Sequence, residues 1–220
     1  MKKFVLATAA AMVVSGASAI TVYDTAGVGP GVGVNDGNQN YAEMLGLDFT
    51  VNLAGLQVTE LGAFNDDLNG ITTSISVGLY NLTTSSVVIA PISFNGAAGA
   101  TTYLFRTLPS PIVLTQGHRY SVQAFGFNNT DENFNVVPVN APNAQVTTPV
   151  TFNGGAGWLT NNNSRYGGFA MGPGNVVYAS ASAFGAGTLV VTPVPEPGAL
   201  ALMLTGLAAV AFVARRRQVR

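Results

Sequence analysis

The period of the apolar residues limits this chain more than any other feature. Leu45, Leu47, Phe49 and Val51 alternate with Gly46, Asp48 and Thr50, which puts the apolar set on one face of an extended strand. Ile75, Val77 and Leu79 repeat the pattern between Ser74, Ser76 and Gly78. Val88, Ala90, Ile92 and Phe94 continue it, with Pro91 marking an edge position. Leu56–Phe64 is a further strand whose alternation slips near Glu60, the mark of a bulge. Tyr103–Arg106, Ile112–Leu114 and Tyr120–Phe127 complete a run of short strands, with Val176–Tyr178 and Thr188–Thr192 as closing ones. Ala141–Ala186 is looser: Asn153-Gly154-Gly155-Ala156-Gly157 and Asn161-Asn162-Asn163 read as flexible turns. No stretch of residues 20–192 has a helical period. The expectation is an all-β domain, an antiparallel β-sandwich of two layers. The chain has no cysteine, so its core must hold the fold without disulfides.

Both ends carry a different pattern. Met1–Ala19 has Lys2 and Lys3, an apolar stretch Phe4–Val14, and the small residues Ala17-Ser18-Ala19. That order is a secretory signal, and signal peptidase cleavage after Ala19 would leave Ile20 as the new terminus. At the other end, residues 193–220 hold Val194-Pro195-Glu196-Pro197, the uncharged run Gly198–Ala214, and then Arg215, Arg216, Arg217 and Arg220. The prolines end whatever strand precedes them. The run from 198 to 214 would make a transmembrane helix roughly 25 Å long, at the short end of what crosses a bilayer. The arginines would hold its far end in the cytoplasm. A buried core helix is the alternative, and the basic cluster at its edge argues against it.

This tail resembles the PEP-CTERM sorting signal of Gram-negative bacteria: Pro195-Glu196-Pro197, the apolar span and the arginine cluster occur in the required order. The resemblance implies recognition by an exosortase, a membrane protease-transpeptidase that cuts near the Pro-Glu-Pro. The released domain would go to the cell surface or extracellular matrix, so the helix is an address rather than a permanent anchor, as in a GPI signal. A second resemblance covers about Leu45–Phe127. Leu45-Gly46-Leu47-Asp48-Phe49-Thr50-Val51, Val58–Phe64, Val77-Gly78-Leu79-Tyr80-Asn81 and Ile112–Gly117 with Tyr120 are similar to a recurrent domain of secreted bacterial proteins. That domain is related to the jelly-roll of carbohydrate-binding modules, and it implies fold rather than activity.

Charge narrows the partners. Residues 20–197 carry Arg106, Arg119 and Arg165 against all ten acids, a net charge of −7. Nucleic acid needs clustered Lys and Arg, so it is not an expected partner. A single histidine and no cysteine exclude His/Cys zinc sites. No glycine-rich phosphate loop follows a strand and opens a helix.

The chemistry on offer is sparse. Asn65-Asp66-Asp67-Leu68-Asn69-Gly70 reads as a solvated turn; its oxygen donors Asp66, Asp67 and Asn69 also suit calcium, without the spacing of an EF-hand. Asn128–Asn133 has the same two readings. Trp158, Tyr166 and Phe169 lie among asparagines and glycines, a set that can stack on a sugar ring, although aromatic residues of a sandwich are more often core. His118, in the turn Gln116-Gly117-His118-Arg119, has no partner in the sequence that would make it a catalytic base. The resulting expectation is an exported, non-enzymatic surface or exopolysaccharide-matrix protein, structural or adhesive. A non-catalytic carbohydrate-binding module is the alternative. A secreted hydrolase using Asp66 and Asp67 is the third, weakened because adjacent side chains point apart.

Overall fold

The structure, a computed structural model, describes residues 18–24, 37, 39–40, 44–136, 148–157, 177–179, 183–194, 205–208, 210–211 and 214–215. Twelve strands occur among these: β1 (Ile20–Thr21), β2 (Leu45–Val51), β3 (Leu56–Phe64), β4 (Ser76–Asn81), β5 (Ser86–Ser93), β6 (Tyr103–Val113), β7 (Arg119–Phe125), β8 (Phe134–Val136), β9 (Val150–Gly157), β10 (Val177–Ala179), β11 (Ala183–Gly185) and β12 (Gly187–Pro193). They form a four-stranded sheet in the order β1-β12-β3-β6, a six-stranded sheet β10-β9-β2-β7-β4-β5, and the pair β11-β8. The pairings are antiparallel. The expected all-β antiparallel sandwich is the architecture found, within a compact unit spanning Ala19–Pro193.

The alternating residues explain the layers. Leu45, Leu47, Phe49 and Val51 of β2, Val77 and Leu79 of β4, and Tyr120, Val122 and Ala124 of β7 are buried in one core cluster. Leu56, Val58, Leu61 and Ala63 of β3 and Leu189 and Val191 of β12 join it from the other sheet. Close approach shows the contact: a side chain added at Gly187 of β12 would sit 3.1 Å from Val77 and 3.2 Å from Ala124. Ring pairs fill the middle, Phe49 on Tyr120 with centroids 5.9 Å apart and Tyr23 on Phe152 at 6.2 Å.

The slip near Glu60 is a double irregularity. The register shifts between Val58 and Glu60 against β6, and between Val190 and Val191 against β12. An extra residue re-aims the strand, so Val58 and Leu61, three apart, both reach the core. Pro91 lies in β5, the outermost strand of its sheet, as its missing N–H requires.

Two readings need correction. Tyr103–Arg106 and Ile112–Leu114 are not separate strands but parts of the single strand β6. Glu60 pairs with Thr107 and Val58 with Ile112, so Leu108-Pro109-Ser110-Pro111 arches off the ladder between them. β6 is an edge strand, and an edge tolerates that loss of pairing. Asn153–Gly157 is not a turn either: it lies in β9, paired with β2 on one side and β10 on the other. A ladder is made by backbone groups, so glycines with partners on both sides hold a strand despite poor propensity.

Of the tail, residues 205–208, 210–211 and 214–215 are helical. Among the described residues no helix is long and apolar enough to cross a membrane; the expected span 198–214 lies partly outside them.

One glycine gives a test of the packing. Gly126, after β7, has φ +102°, and a Cβ there would lie 2.3 Å from the Ser74 carbonyl oxygen. Strain and overlap act together, so Gly126→Ala should cost about 1–3 kcal/mol. A fall in melting temperature of several degrees is expected in thermal unfolding followed by far-UV circular dichroism; an unchanged melt would show that the turn relaxes freely.

Candidate functional site

The ends of the sandwich domain meet in one ladder. Ile20 lies opposite Val191 and Thr21 opposite Val190. Val22 N–H donates to the Leu189 carbonyl at 2.9 Å, the Tyr23 N–H donates to the Thr188 hydroxyl at 3.2 Å, and that hydroxyl donates to the Tyr23 carbonyl at 2.6 Å. The alternation Ile20-Thr21-Val22-Tyr23 was the sequence signal for β1, and the sequence reading passed over it. Ala19, of the predicted signal peptidase site, is exposed one residue before β1. Val194, of the predicted sorting tail, is 38% exposed one residue after β12. Two processing positions far apart in sequence therefore flank neighbouring, oppositely directed strands.

Strand direction defines two poles. Pro193 pairs with Leu56 and Val113 with Gln57, so the chain leaves β12 beside the turns 52–55 and 114–118. These turns are tied together: Gln116 Nε2 donates to the Asn52 carbonyl at 2.8 Å and Gly117 N–H to the Val51 carbonyl at 2.8 Å. Turn 82–85 joins them, the Thr83 hydroxyl accepting from Arg119 N–H at 2.9 Å. His118 belongs here too, its Nδ1 accepting from the Asn81 amide at 3.1 Å.

The opposite pole gathers the acidic loops. Both oxygens of the buried Asp66 carboxylate accept backbone N–H groups, from Gly37 and, at 3.1 Å, from Glu132. The Asn65 amide donates to the carbonyls of Gly99 and Thr101, and its oxygen accepts from Gly70 N–H. Asp131, 1% exposed, accepts from the N–H and hydroxyl of both Thr72 and Thr73, at 2.5–3.3 Å. Thus the two loops with calcium-compatible residues are neighbours, Asp66 faces inward, and Asp67 and Asn69 are exposed. Among the described residues no group of three or more His, Cys, Asp or Glu is placed to hold a metal ion. A cleft of about 300 Å³ opens alongside, lined by Thr21, Asp24, Leu68, Ala100–Tyr103 and Phe105.

A third constellation was missed by the sequence reading. Asp48 stands directly opposite Ser121, on the face of β2 away from the Leu45–Val51 set, and is fully buried with Ser121 and Gln123. Arg119 Nη2 donates to Asp48 Oδ2 at 2.6 Å, and Gln123 Nε2 donates to the Ser121 hydroxyl at 3.1 Å. Burial pushes the Asp48 carboxyl above the usual carboxylate range; the Ser121 hydroxyl and then the Arg119 guanidinium offset part of that shift. A single acid among alternating positions was the signal, but burial of both faces of a strand cannot be read from period alone.

Of the other candidate residues, Arg215 is helical and exposed. Ala17, Trp158, Tyr166, Phe169, Pro195, Glu196, Pro197, Arg216 and Arg217 lie outside the described residues.

Residues 193–217 match the PEP-CTERM protein-sorting motif family. The chain carries a PEP-CTERM sorting tail. Such a tail indicates a protein sorted through an exosortase to the cell surface of a Gram-negative bacterium. The match begins at Pro193, the last residue of β12, so domain and PEP-CTERM tail adjoin without a linker. No curated protein matches the chain.

Two measurements probe these clusters. Asp48 titrates above its unfolded value, so the native state holds the extra proton and rising pH destabilises it. That destabilisation is absent below about pH 3.9 and complete once the pH has passed the folded pKa. Asp48→Asn should therefore gain melting temperature relative to the parent between pH 3.5 and 7; a relative loss would mean that the attraction of Arg119 outweighs burial. Asp131→Ala leaves the Thr72 and Thr73 N–H groups without their acceptor and should cost about 1–3 kcal/mol. Urea unfolding should show that as a lower midpoint with an unchanged slope.

Proposed function

We propose that the protein is an exported, non-enzymatic β-sandwich protein acting at the cell surface or in the exopolysaccharide matrix as a structural or adhesive component. A signal peptide at residues 1–19 would deliver it. Its PEP-CTERM tail, with the span 198–214 inserted in the inner membrane as a precursor, would then be processed by exosortase near Pro195-Glu196-Pro197. The observation that carries this reading is the family match over residues 193–217, which begins at the last residue of β12. The Nδ1 of His118 accepts from an amide of Asn81 rather than pairing with a carboxylate, which supports a non-enzymatic role. A second reading, non-catalytic carbohydrate binding, is favoured by the cleft at Phe105. That ring is 40% exposed beside Thr21, Thr101 and Thr102, an apolar platform among hydroxyls.

Processing and targeting rest on different physics and should separate. The apolar span would insert by burying side chains in hydrocarbon, while Pro195-Glu196-Pro197 would be read as a linear motif by the protease. Replacing Pro195, Glu196 and Pro197 with alanine should leave a full-length precursor in the membrane fraction of the native host. Deleting residues 198–220 should release an unanchored domain into the periplasm. Immunoblots of fractionated cells read both. Normal processing of the alanine variant would overturn the sorting reading.

A further inference from the structure

The cleft beside Phe105 lies wholly within the unit Ala19–Pro193, and the fold holds its walls fixed. Phe105 stands on β6 opposite Gly62 of β3. A Cβ at Gly62 would lie 2.7 Å from Phe105 Cε1 and 2.8 Å from Thr188 Cγ2, so the glycine is what lets the ring settle on the sheet. Tyr103, on the same face of β6, is buried with its ring centroid 6.4 Å from that of Phe105. One aromatic ring is thus backed by protein and partly open to solvent.

The loop 99–102 is pinned as firmly. The fully buried Asn65 donates from its side-chain amide to the carbonyls of Gly99 and Thr101, at 3.2 and 2.8 Å. Its N–H donates to the Thr102 carbonyl at 2.9 Å. A wall clamped in this way loses little freedom when a ligand binds. Leu68 borders the cleft with φ +56°, and Asp67 before it has φ +57°. Two successive non-glycine residues in the left-handed region are costly, and such strain gathers at ligand clamps.

The polar groups of the cleft define the ligand. The Thr101 hydroxyl donates to the Tyr103 carbonyl at 2.7 Å, which leaves its lone pairs to accept. Asp24 adds a carboxylate, and Thr21 and Thr102 add hydroxyls. None of the described residues lining the cleft is Lys, Arg or His. Arg106, next to Phe105, takes the opposite face of β6, its guanidinium 5.4 Å from the centroid of the buried Phe94 ring. A ligand anion would therefore meet Asp24 within the screening length of about 8 Å, with no cation to offset it. What fits is a molecule with hydroxyls to donate, an apolar face and no negative charge. The electron-rich face of an aromatic ring attracts the C–H groups of a sugar. A volume of about 300 Å³ is at the low end for small-ligand sites and admits a sugar unit.

We propose that this cleft binds an uncharged hexopyranose unit of a glycan, its C–H face on Phe105 and its hydroxyls on Asp24, Thr21 and Thr101. The inference rests on the carbohydrate-binding reading and deepens it: the site takes neutral glycans and rejects those bearing uronate, sulfate or phosphate.

The test uses the full chain in a zwitterionic detergent that carries no sugar. Isothermal titration calorimetry compares cellotetraose, maltotetraose and mannotetraose with tetragalacturonic acid. A neutral tetrasaccharide should bind and the acidic one should not. Phe105→Ala should weaken that binding about tenfold or more. Phe105→Leu, which keeps an apolar cover on Gly62 but has no ring face, should weaken it at least about threefold, while Phe105→Tyr should keep it. Neutral binding unchanged in both Phe105→Ala and Phe105→Leu overturns the cleft and leaves the carbohydrate-binding reading standing. Tetragalacturonic acid that binds and is lost in Phe105→Ala overturns the selection against charge, again leaving that reading intact. If none of the four glycans binds, the carbohydrate-binding reading falls and the cleft with it.

Discussion

The ladder between β12 and β3 is the constraint on which the rest depends. β12 enters the four-stranded sheet between β1 and β3, so it completes that sheet from the inside. Its partners Leu56–Ala63 lie more than a hundred residues earlier in the chain. Without it, β1 has no neighbour and Leu61 and Ala63 lose one wall of the core. Closing a loop of that size carries an entropic cost that the contacts of this ladder must repay. The sandwich therefore cannot be complete until residues adjoining the sorting motif have crossed the membrane. Folding and sorting are linked by position in the chain.

The poles follow from the same ladder. Because β1 and β12 are antiparallel, the start and the finish of the domain lie at one end, and every loop is assigned by strand direction to that end or the other. The acidic loops at the far end are not loose ornaments. Asp66 and Asp131 satisfy backbone N–H groups across loops some sixty residues apart, which locks that end of the sandwich. A cysteine-free exported domain gains its rigidity through such carboxylate anchors and through stacked rings such as Phe64 on Phe134.

The six-stranded sheet shows a different economy. Its central strands bury both faces, with Asp48, Ser121 and Gln123 on the side away from the main core. Arg119 links this polar row to the turns at the tail-proximal pole, since its side chain meets Asp48 while its N–H meets Thr83. Only the carboxylate of this ion pair is buried, the Arg119 side chain being 41% exposed, so the pair is weak support for stability and its better-attested use is to fix register. Here it sits across β2 and β7, where a slip of one residue would put Phe49 and Tyr120 on the wrong face.

The sequence by itself determined the layers and the address. Period-2 alternation in Leu45–Val51 and Ile75–Leu79 dictates strands because only an extended chain puts such residues on one face. Pro91 could sit only at an edge, and the slip at Glu60 required a bulge. Pro195-Glu196-Pro197 with its apolar span and arginines is a linear code, legible without a fold. Tertiary structure alone decided the rest. Asn153–Gly157 is a strand because β2 and β10 flank it, and Tyr103–Val113 is one strand because an edge forgives its prolines. Asp48 is buried, Asp66 and Asp131 anchor backbone, and Ala19 and Val194 come to one end, all through pairings between distant segments. Local pattern reports which face a residue takes; only long-range pairing reports what that face meets.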